Sequence, residues 1–394
     1  MDSIPQGYKA SSLGVIPCDW NMVQLDEVLD RLSNGLTYDV SATNGHPVTR
    51  IETISTGKIN FSKVGYISHC EDVECYKMHK GDILYSHINS LSQIGKVAYY
   101  NGEKELYHGM NLLLLRVNGK IIDKYLYYNL QMNKARIAAQ RIAKPAVNQA
   151  SISISDLKKV SVAIPKIEEQ KKIVEILSEW DRAIELQTKL IEKLEMRKRA
   201  LMQRLLTGRV RLNGYREIFG KTTLGKHVVI KKGEMLTSEQ YITGPVPVIA
   251  GGKFSTGRHN VANRPSRTIT ISASGANAGF VSFHRCPIFA TDCSTIEMSS
   301  NYVIEYIYYL LLHHQQQLYF LQSGGAQPHV QPKDIARLKV NYCSDINEQA
   351  KMSMILMVAD KEIETTKAKL SLFHNQKRAL MQQLLTGKQR VRLL

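Results

Sequence analysis

The segment Lys198-Arg-Ala-Leu-Met-Gln-Arg-Leu-Leu-Thr-Gly208 returns, with one substitution, as Lys377-Arg-Ala-Leu-Met-Gln-Gln-Leu-Leu-Thr-Gly387, so ten of eleven positions are identical. Shared helix-forming composition does not fix residue order to that degree. The chain is therefore two copies of one unit, each closed by the same helix, and a duplication of this kind decides the architecture before any local reading does. At a constant offset Glu169-Gln170 matches Glu348-Gln349, Asp181 matches Asp360 and Ile184 matches Ile363. Upstream, Asp156-Leu157 and Val162 find Asp334-Ile335 and Val340 with a shift of one residue. Farther back only the pattern persists, as in Tyr125-Leu-Tyr-Tyr128 and Tyr306-Ile-Tyr-Tyr309, or Pro47-Val48 and Pro247-Val248. Each unit is a variable globular part followed by a near-invariant helix. Two similar modules in tandem suit a ligand with two similar half-sites.

The two helical stretches carry a sustained heptad. Ile173, Leu177, Trp180, Ile184, Gln187, Ile191, Leu194, Lys198, Leu201 and Leu205 alternate in steps of four and three. Met352, Leu356, Ala359, Ile363, Thr366, Leu370, Phe373, Lys377, Leu380 and Leu384 stand at the equivalent places. This is a coiled-coil seam, and its regularity favours a partner helix over two helices packed separately on their own domains. Equal length and matching seams predict that the two helices pair antiparallel, Ile173 opposite Leu384 and Lys198 opposite Ala359. The polar interruptions coincide as well, Gln187 with Thr366 and Lys198 with Lys377, and such residues tend to set register. Each lysine is expected to pack its stem on the other helix and send its ammonium to water. Gly208 and Gly387 stand where a helix C-cap favours glycine. From 168 to 206 the first helix should measure roughly 58 Å at 1.5 Å per residue.

The variable parts read alike. In the first, β-rich runs at 48–54, 82–85, 96–100 and 112–117 are broken by Asn, Gly and Ser, and one helix over about 122–141 precedes the polar loop Lys144-Pro-Ala-Val-Asn-Gln149. In the second, strands at 247–249, 268–272 and 279–283 precede a helix over about 302–320 and the loop Ser323-Gly-Gly-Ala-Gln-Pro-His329. The fold class is α+β, with an internal pseudo-twofold repeat: two variable domains (1–165 and 213–343) alternating with two helices (166–212 and 344–394).

With 394 residues and 43% apolar content the chain can bury more than one core, and its formal charge of +17 points to a polyanionic partner. A membrane is disfavoured, because no run approaches eighteen uncharged apolar residues and the start Met1-Asp-Ser-Ile-Pro-Gln lacks the basic and apolar regions of a signal peptide. Six cysteines (Cys18, Cys70, Cys75, Cys286, Cys293, Cys343) in so long a chain do not resemble a disulfide framework, which predicts a reduced, cytoplasmic protein. The pairs Cys70/Cys75 and Cys286/Cys293 lack finger-like spacing and a matching histidine pair. There is no Gly-x-Gly-x-x-Gly, no phosphate-loop Gly-x-x-x-x-Gly-Lys-Ser/Thr and no His-Glu-x-x-His, and no Ser/His/Asp set is supported by spacing. The loop Ser274-Gly-Ala-Asn-Ala-Gly279 is only a weak phosphate-cradle signal. A catalytic chain is not expected.

Taken together, the motifs resemble the specificity (S) subunit of type I restriction–modification systems over nearly the whole length. They are Ile4-Pro-Gln-Gly-Tyr8 with Ile16-Pro-Cys-Asp-Trp20, Leu25-Asp-Glu-Val28 with Leu224-Gly-Lys-His-Val228, Lys80-Gly-Asp-Ile-Leu84, Glu168-Glu-Gln-Lys-Lys-Ile173 and the two Lys-Arg-Ala-Leu-Met-Gln-x-Leu-Leu-Thr-Gly endings. One departure is Asn341-Tyr-Cys343, which stands in place of Val162-Ala-Ile-Pro165. The resemblance implies a non-catalytic reader of double-stranded DNA with a bipartite, asymmetric site. Two methyltransferase subunits would dock on its helices, and restriction subunits with ATP-driven translocation would join them. It implies no cofactor on this chain; S-adenosylmethionine, ATP and magnesium are expected on the partners. Half-site centres are expected near one helical turn, about 34–36 Å.

Phosphate contacts position such a protein and base-edge contacts specify its sequence. Basic side chains suit phosphates, while Arg, Lys, Asn and Gln read base edges in the major groove. The first-domain candidates are Arg50, then Ser86, His87, Asn89, Ser90, Gln93 and Lys96 of one loop, and Lys144, Asn148 and Gln149 of the next. In the second domain they are Lys253, Arg258, Ser274, Asn277, Gln327, His329 and Gln331. Three other readings compete. An autonomous methyltransferase or nuclease would need a cofactor loop, which the sequence lacks. A coiled-coil scaffold would leave the charge and the glycine-rich loops unused. A specificity subunit serving a fused nuclease–methylase would look the same from this chain alone. The bases recognised and the spacer are not written in these loops.

Overall fold

The computed structural model describes residues 4–38, 42–67, 72–147, 149–216, 219–324 and 327–392. They form two compact units, Met1–Leu186 with Ser371–Leu394, and Gln187–Leu370. Each unit thus combines one variable part with a length of both long helices.

In the first unit, four antiparallel strands run in the order Leu29–Asn34, Leu113–Val117, Ile83–Tyr85, Val97–Tyr99. Alternating apolar residues make one face of this sheet a core with Trp20, Leu25, Tyr125 and Leu126. The core is completed by Ile173 and Leu177 from the start of the first long helix and by Leu384 and Leu385 from the end of the second. The second unit repeats the order with Lys231–Lys232, Cys293–Ile296, Thr268–Ser272 and Val281–His284, again antiparallel. Its core joins Leu224, Ile269, Ile271, Tyr306 and Leu310 to Leu205, Leu206, Met352 and Leu356. Fully burying side chains of this size contributes roughly 1.5–3 kcal/mol each, which is why each unit needs its helical segments. A two-stranded ribbon also recurs, Asn21–Gln24 on Ser161–Ile164 and Gly220–Thr223 on Lys339–Tyr342. The Asn341-Tyr-Cys343 departure therefore leaves this pairing intact.

Each of the helices expected over 122–141 and 302–320 is divided in two. Asp123–Gln131 and Asn133–Ile142 meet at the extended Met132, and Ile304–His313 and Gln315–Phe320 meet at His314. Tertiary contacts explain the breaks. Arg136 and Gln140 of the second piece donate to Ser92 O and Leu91 O, while Gln315 bonds both Gly279 O and Val281 N. The expected strand over 48–54 likewise becomes a short strand, His46–Val48, and a 3-10 turn, Ile51–Ile54. There the Thr53 hydroxyl accepts from Arg50 N and donates to Lys63 O, bonds that a continued strand could not make.

The long helices run Ile167–Leu206 and Ile346–Leu384. They pair antiparallel. In the first unit Trp180 meets Phe373 edge-on with centroids 5.6 Å apart. In the second, Gln187 donates to Thr366 O at 3.2 Å, Lys367 pairs with Glu195 at 2.6 Å and Arg197 with Glu362 at 3.4 Å. Every seam position is buried or half-buried. Both C′ glycines, Gly208 and Gly387, take the left-handed conformation with φ of +72° and +69°.

The seam lysines depart from expectation. Lys377 Nζ lies 2.6 Å from Asp181 and Lys198 Nζ 2.5 Å from Asp360, with side chains only 12% and 18% exposed. The Tyr128 and Tyr309 hydroxyls donate to the same two aspartates at 2.7 and 2.8 Å, and each ammonium also lies over that tyrosine's ring. A carboxylate already oriented by a phenol holds the ammonium better than a partly obstructed path to water would. The polar interruption is thus a Lys–Asp–Tyr triad repeated in both units.

Two arginine clamps complete the frame. Arg390, three residues past Gly387, reaches Glu169 at 2.7 and 2.8 Å and Asp19 at 2.9 and 2.8 Å. Arg211, three residues past Gly208, forks onto Glu348 at 3.0 and 2.6 Å. Hydrogen bonds from Arg390 hold the Asp19 carboxyl below its ordinary range. Burial pushes Glu348 upward, but the Arg211 fork and the Cys343 thiol outweigh it and leave the carboxyl below its ordinary range.

Candidate nucleic-acid interface

In the first unit the strand Ile88–Asn89 pairs with Gln149–Ser151, which pairs with Lys144–Ala146. This small sheet sets Asn89, Lys144 and Gln149 close together, with Asn89 directly opposite Ala150. Ser90, Lys144 and Gln149 are exposed, while Asn89, Gln93 and Lys96 are half-buried. Lys144 is held only loosely, 3.7 Å from Asp156. Lys96 donates to Ser55 O at 2.7 Å. Arg50 stands at the start of the Ile51–Ile54 turn, 3.9 Å from Glu52. Asn148 lies outside the described residues.

Two candidates do not present themselves to a ligand. Ser86 is 1% and His87 6% exposed. Ser86 Oγ accepts from Asn89 Nδ2 at 3.2 Å, and the His87 carbonyl continues the sheet by accepting from Ile152 N. Burial pulls the His87 imidazole down to about 4, so it stays neutral. Their place in a polar loop suggested exposure, but sheet pairing on both sides turned them inward. They shape the loop from beneath.

In the second unit three loops converge. Ser274 bridges His329, and Gly275 N donates to Pro328 O at 3.0 Å. The Ser272 hydroxyl donates to Gly251 O at 2.6 Å, and the Ser274 hydroxyl donates to Asp292. Lys253 Nζ sits 5.4 Å from the centre of the Phe280 ring. Lys253, Ser274, His329 and, next to Gly324, Gln327 thus share one surface. Gln331 precedes the helix Pro332–Ala336 and is exposed. Asn277 forms a turn with Phe280, and its side chain is half-buried. Arg258 stands apart on the strand Gly257–His259, donating to Pro245 O.

Sequence reading passed over the apolar tips of these loops. Phe254, beside Lys253, is 84% exposed, and Val147, at the tip between Lys144 and Gln149, is 92% exposed. An apolar side chain held out among basic and amide groups can meet a thymine methyl or wedge into a base step. The signal was available in Gly251-Gly252-Lys253-Phe254, where paired glycines precede a cation and an aromatic ring. Asp292 was also missed. It is an acceptor among donors and suits a cytosine amino group.

Among the described residues no group of three or more His, Cys, Asp or Glu side chains converges to hold a metal, and no helix is long and apolar enough to cross a membrane. The surface has the features of sequence reading by loops on a rigid scaffold: exposed amides and cations, apolar tips, and anchoring hydrogen bonds beneath them.

Comparison with known proteins agrees. The profile of the type I restriction modification DNA specificity domain matches residues 17–196 and 220–372, one match per copy. The chain is 33% identical to a putative type I restriction enzyme MjaX specificity subunit of Methanocaldococcus jannaschii, over 98% of this chain and 97% of that one. It is 25% identical to the type I restriction enzyme EcoKI specificity subunit of Escherichia coli over 39% of this chain and 34% of that one. Its fold is similar to the crystal structure of a type I restriction–modification S subunit from M. genitalium, with a TM-score of 0.63 at 20% identity, covering 95% of this chain and 97% of the other. A chain from a structure of type I system assembly gives a TM-score of 0.58 at 14% identity, covering 95% of this chain and 99% of the other. Duplicated frame, divergent loops and a profile that matches each copy lead to one conclusion: the chain belongs to the type I restriction–modification DNA specificity family.

Proposed function

We propose that this chain is the DNA-reading subunit of a type I restriction–modification complex, that each of its two variable parts reads one half of a bipartite asymmetric site, and that it performs no chemistry itself. The observation that carries this reading is the contrast within the repeat. The Lys–Asp–Tyr triad and the arginine clamps recur in both units, and so do the side-chain oxygens of Gln170 and Gln349, which accept from Ile122 N at 2.9 Å and Val303 N at 2.8 Å; the exposed loop residues do not recur. A common frame with unlike loops is what two unlike half-sites require.

Two modification subunits dock on the long helices and bring S-adenosylmethionine, while restriction subunits bring ATP and magnesium; the assembly works in the cytoplasm. Met354 and Val358, 65% and 63% exposed, support the helical docking, since an exposed apolar row on a helix calls for a protein partner. Single-molecule methylation mapping of the source genome, with and without this gene, tests the reading. The expected result is loss of one bipartite motif with unread bases between its parts. Unchanged methylation, or a lost motif that is continuous, overturns it.

A further inference from the structure

The second unit contains a concave site outside the loops described above. It has a volume of about 510 Å³ and is lined by Lys221, Lys226, Lys339, His314, Thr222 and Asn341, among others. Lys221 and Lys339 come from the two strands of the ribbon, Lys226 from the turn that follows, and His314 from the helix break. Among the described residues no carboxylate lines it, and none of its three ammonium groups makes an ion pair. Its base is fixed, because His227 stacks on Tyr342 at 3.7 Å and bonds the Thr222 hydroxyl at 3.2 Å.

The first copy shows that the fold does not need these cations. Leu25 N bonds Val160 O and Leu224 N bonds Leu338 O, which aligns the two ribbons residue by residue. Lys221, Lys226, Lys339 and Asn341 then correspond to Met22, Glu27, Ser161 and Ala163. One copy has a carboxylate, a hydroxyl and two apolar groups where the other has three lysines and an amide. Three like charges around one hollow repel one another, so an unneutralised cluster costs stability and signals an anion.

We infer that this hollow is a phosphate-binding site specific to the second unit, taking either a phosphodiester of the DNA backbone or the phosphates of a free polyphosphate. Lysines act as point charges toward phosphate, and Thr222 and Asn341 add neutral hydrogen bonds. The backbone source rests on the DNA-reading function proposed above; the free source does not.

The test uses the full chain, with K221E/K339E against the control K80E/K120E, which makes the same change of net charge at exposed first-unit lysines. K226A is a milder third variant, and circular dichroism verifies folding. Calorimetry with inorganic tripolyphosphate reads the free source. The salt dependence of duplex DNA binding reads the backbone source, with a log–log slope expected to shrink by about 0.9 for each phosphate no longer neutralised. Loss of tripolyphosphate binding in the pocket variant, a shallower DNA slope, or both, with the control unchanged, supports the site and tells which source it takes. Pocket and control variants that behave alike in both assays overturn it. If the unaltered chain does not bind DNA in a salt-dependent way, the proposed function fails, while the tripolyphosphate assay still decides the pocket.

Discussion

Where each unit meets the long helices, the two are nearly the same molecule. An aspartate, a tyrosine and a lysine converge at each crossing, a glutamine caps each short helix through its side-chain oxygen, and an arginine clamps each buried glutamate. On the loops the units part company. The first presents Asn89, Lys144 and Gln149 on a three-stranded ribbon; the second presents Lys253, Phe254 and Gln327 on converging turns. Two copies of one sequence have thus been held to a common form by their shared helices and released from it wherever they face outward. Similarity marks the frame, and divergence marks the exposed loops.

The most decisive attempt to break this contrast is to exchange residues 224–342 for the equivalent segment of a relative. One half-site should change completely while the other and the spacer stay, as methylation mapping would reveal. A swap that altered both half-sites would show that the loops do not act independently.

Next in size are the clamps. R211A strands Glu348, whose side chain is 1% exposed, and R390A strands Glu169 at 4%. Each should cost about 2–3 kcal/mol, somewhat below a fully buried pair because both arginines are partly hydrated. Thermal unfolding followed by hydrogen exchange should show R211A weakening the second unit and R390A weakening the first. Weakening spread evenly over both units would contradict the assignment.

Acid should test each unit more gently. His87 and His108 are buried neutral in the first unit, each with an unpartnered ring nitrogen, and burial holds both down at about 4. As pH falls from about 6.5 to about 4, the unfolded chain takes up protons that the folded unit refuses, so stability drops across that window. Burial also lowers His227, His284, His313 and His314 of the second unit, so melting curves should show both units weakening over that range, and H87Q should reduce the loss in the first unit alone. An acid loss in the first unit that H87Q leaves unchanged would mean that other groups dominate.

The smallest effect belongs to the triads. K198M and K377M replace a half-buried ammonium with an apolar chain of similar length and leave partly exposed aspartates to hydrate, so each should shift stability by no more than about 1 kcal/mol. Register is where the lysine matters. Disulfide trapping across the helices should reveal slipped pairings in the double variant and none in the parent.

What could be read from the sequence follows from the range of the interactions that decide it. The repeat, both helices, their antiparallel pairing and the C′ glycines rest on local order and period, and they were legible. The partners of Lys198 and Lys377 were not, because an aspartate on the facing helix and a tyrosine from the variable part meet only after folding. Arg211 and Arg390 were hidden for the same reason, although both stand three residues past a matched glycine. In the candidate interface, 86–93 and 144–149 were legible as polar connections. The ladder that joins them, Asn89 opposite Ala150, was not. The inward turn of Ser86 and His87 depended on strands paired from distant segments, which no local pattern records.

Tyr8 donates its hydroxyl to Gly387 O at 2.8 Å, and Pro17 packs where Gly387 lacks a side chain. Residues far apart in the chain are thus fastened together inside the first unit without a covalent bond. A permutant opened at Gly214, with residues 392 and 4 joined through a short flexible linker, should therefore keep the first unit's contacts, because the new peptide link would run beside a seam that hydrogen bonds already close.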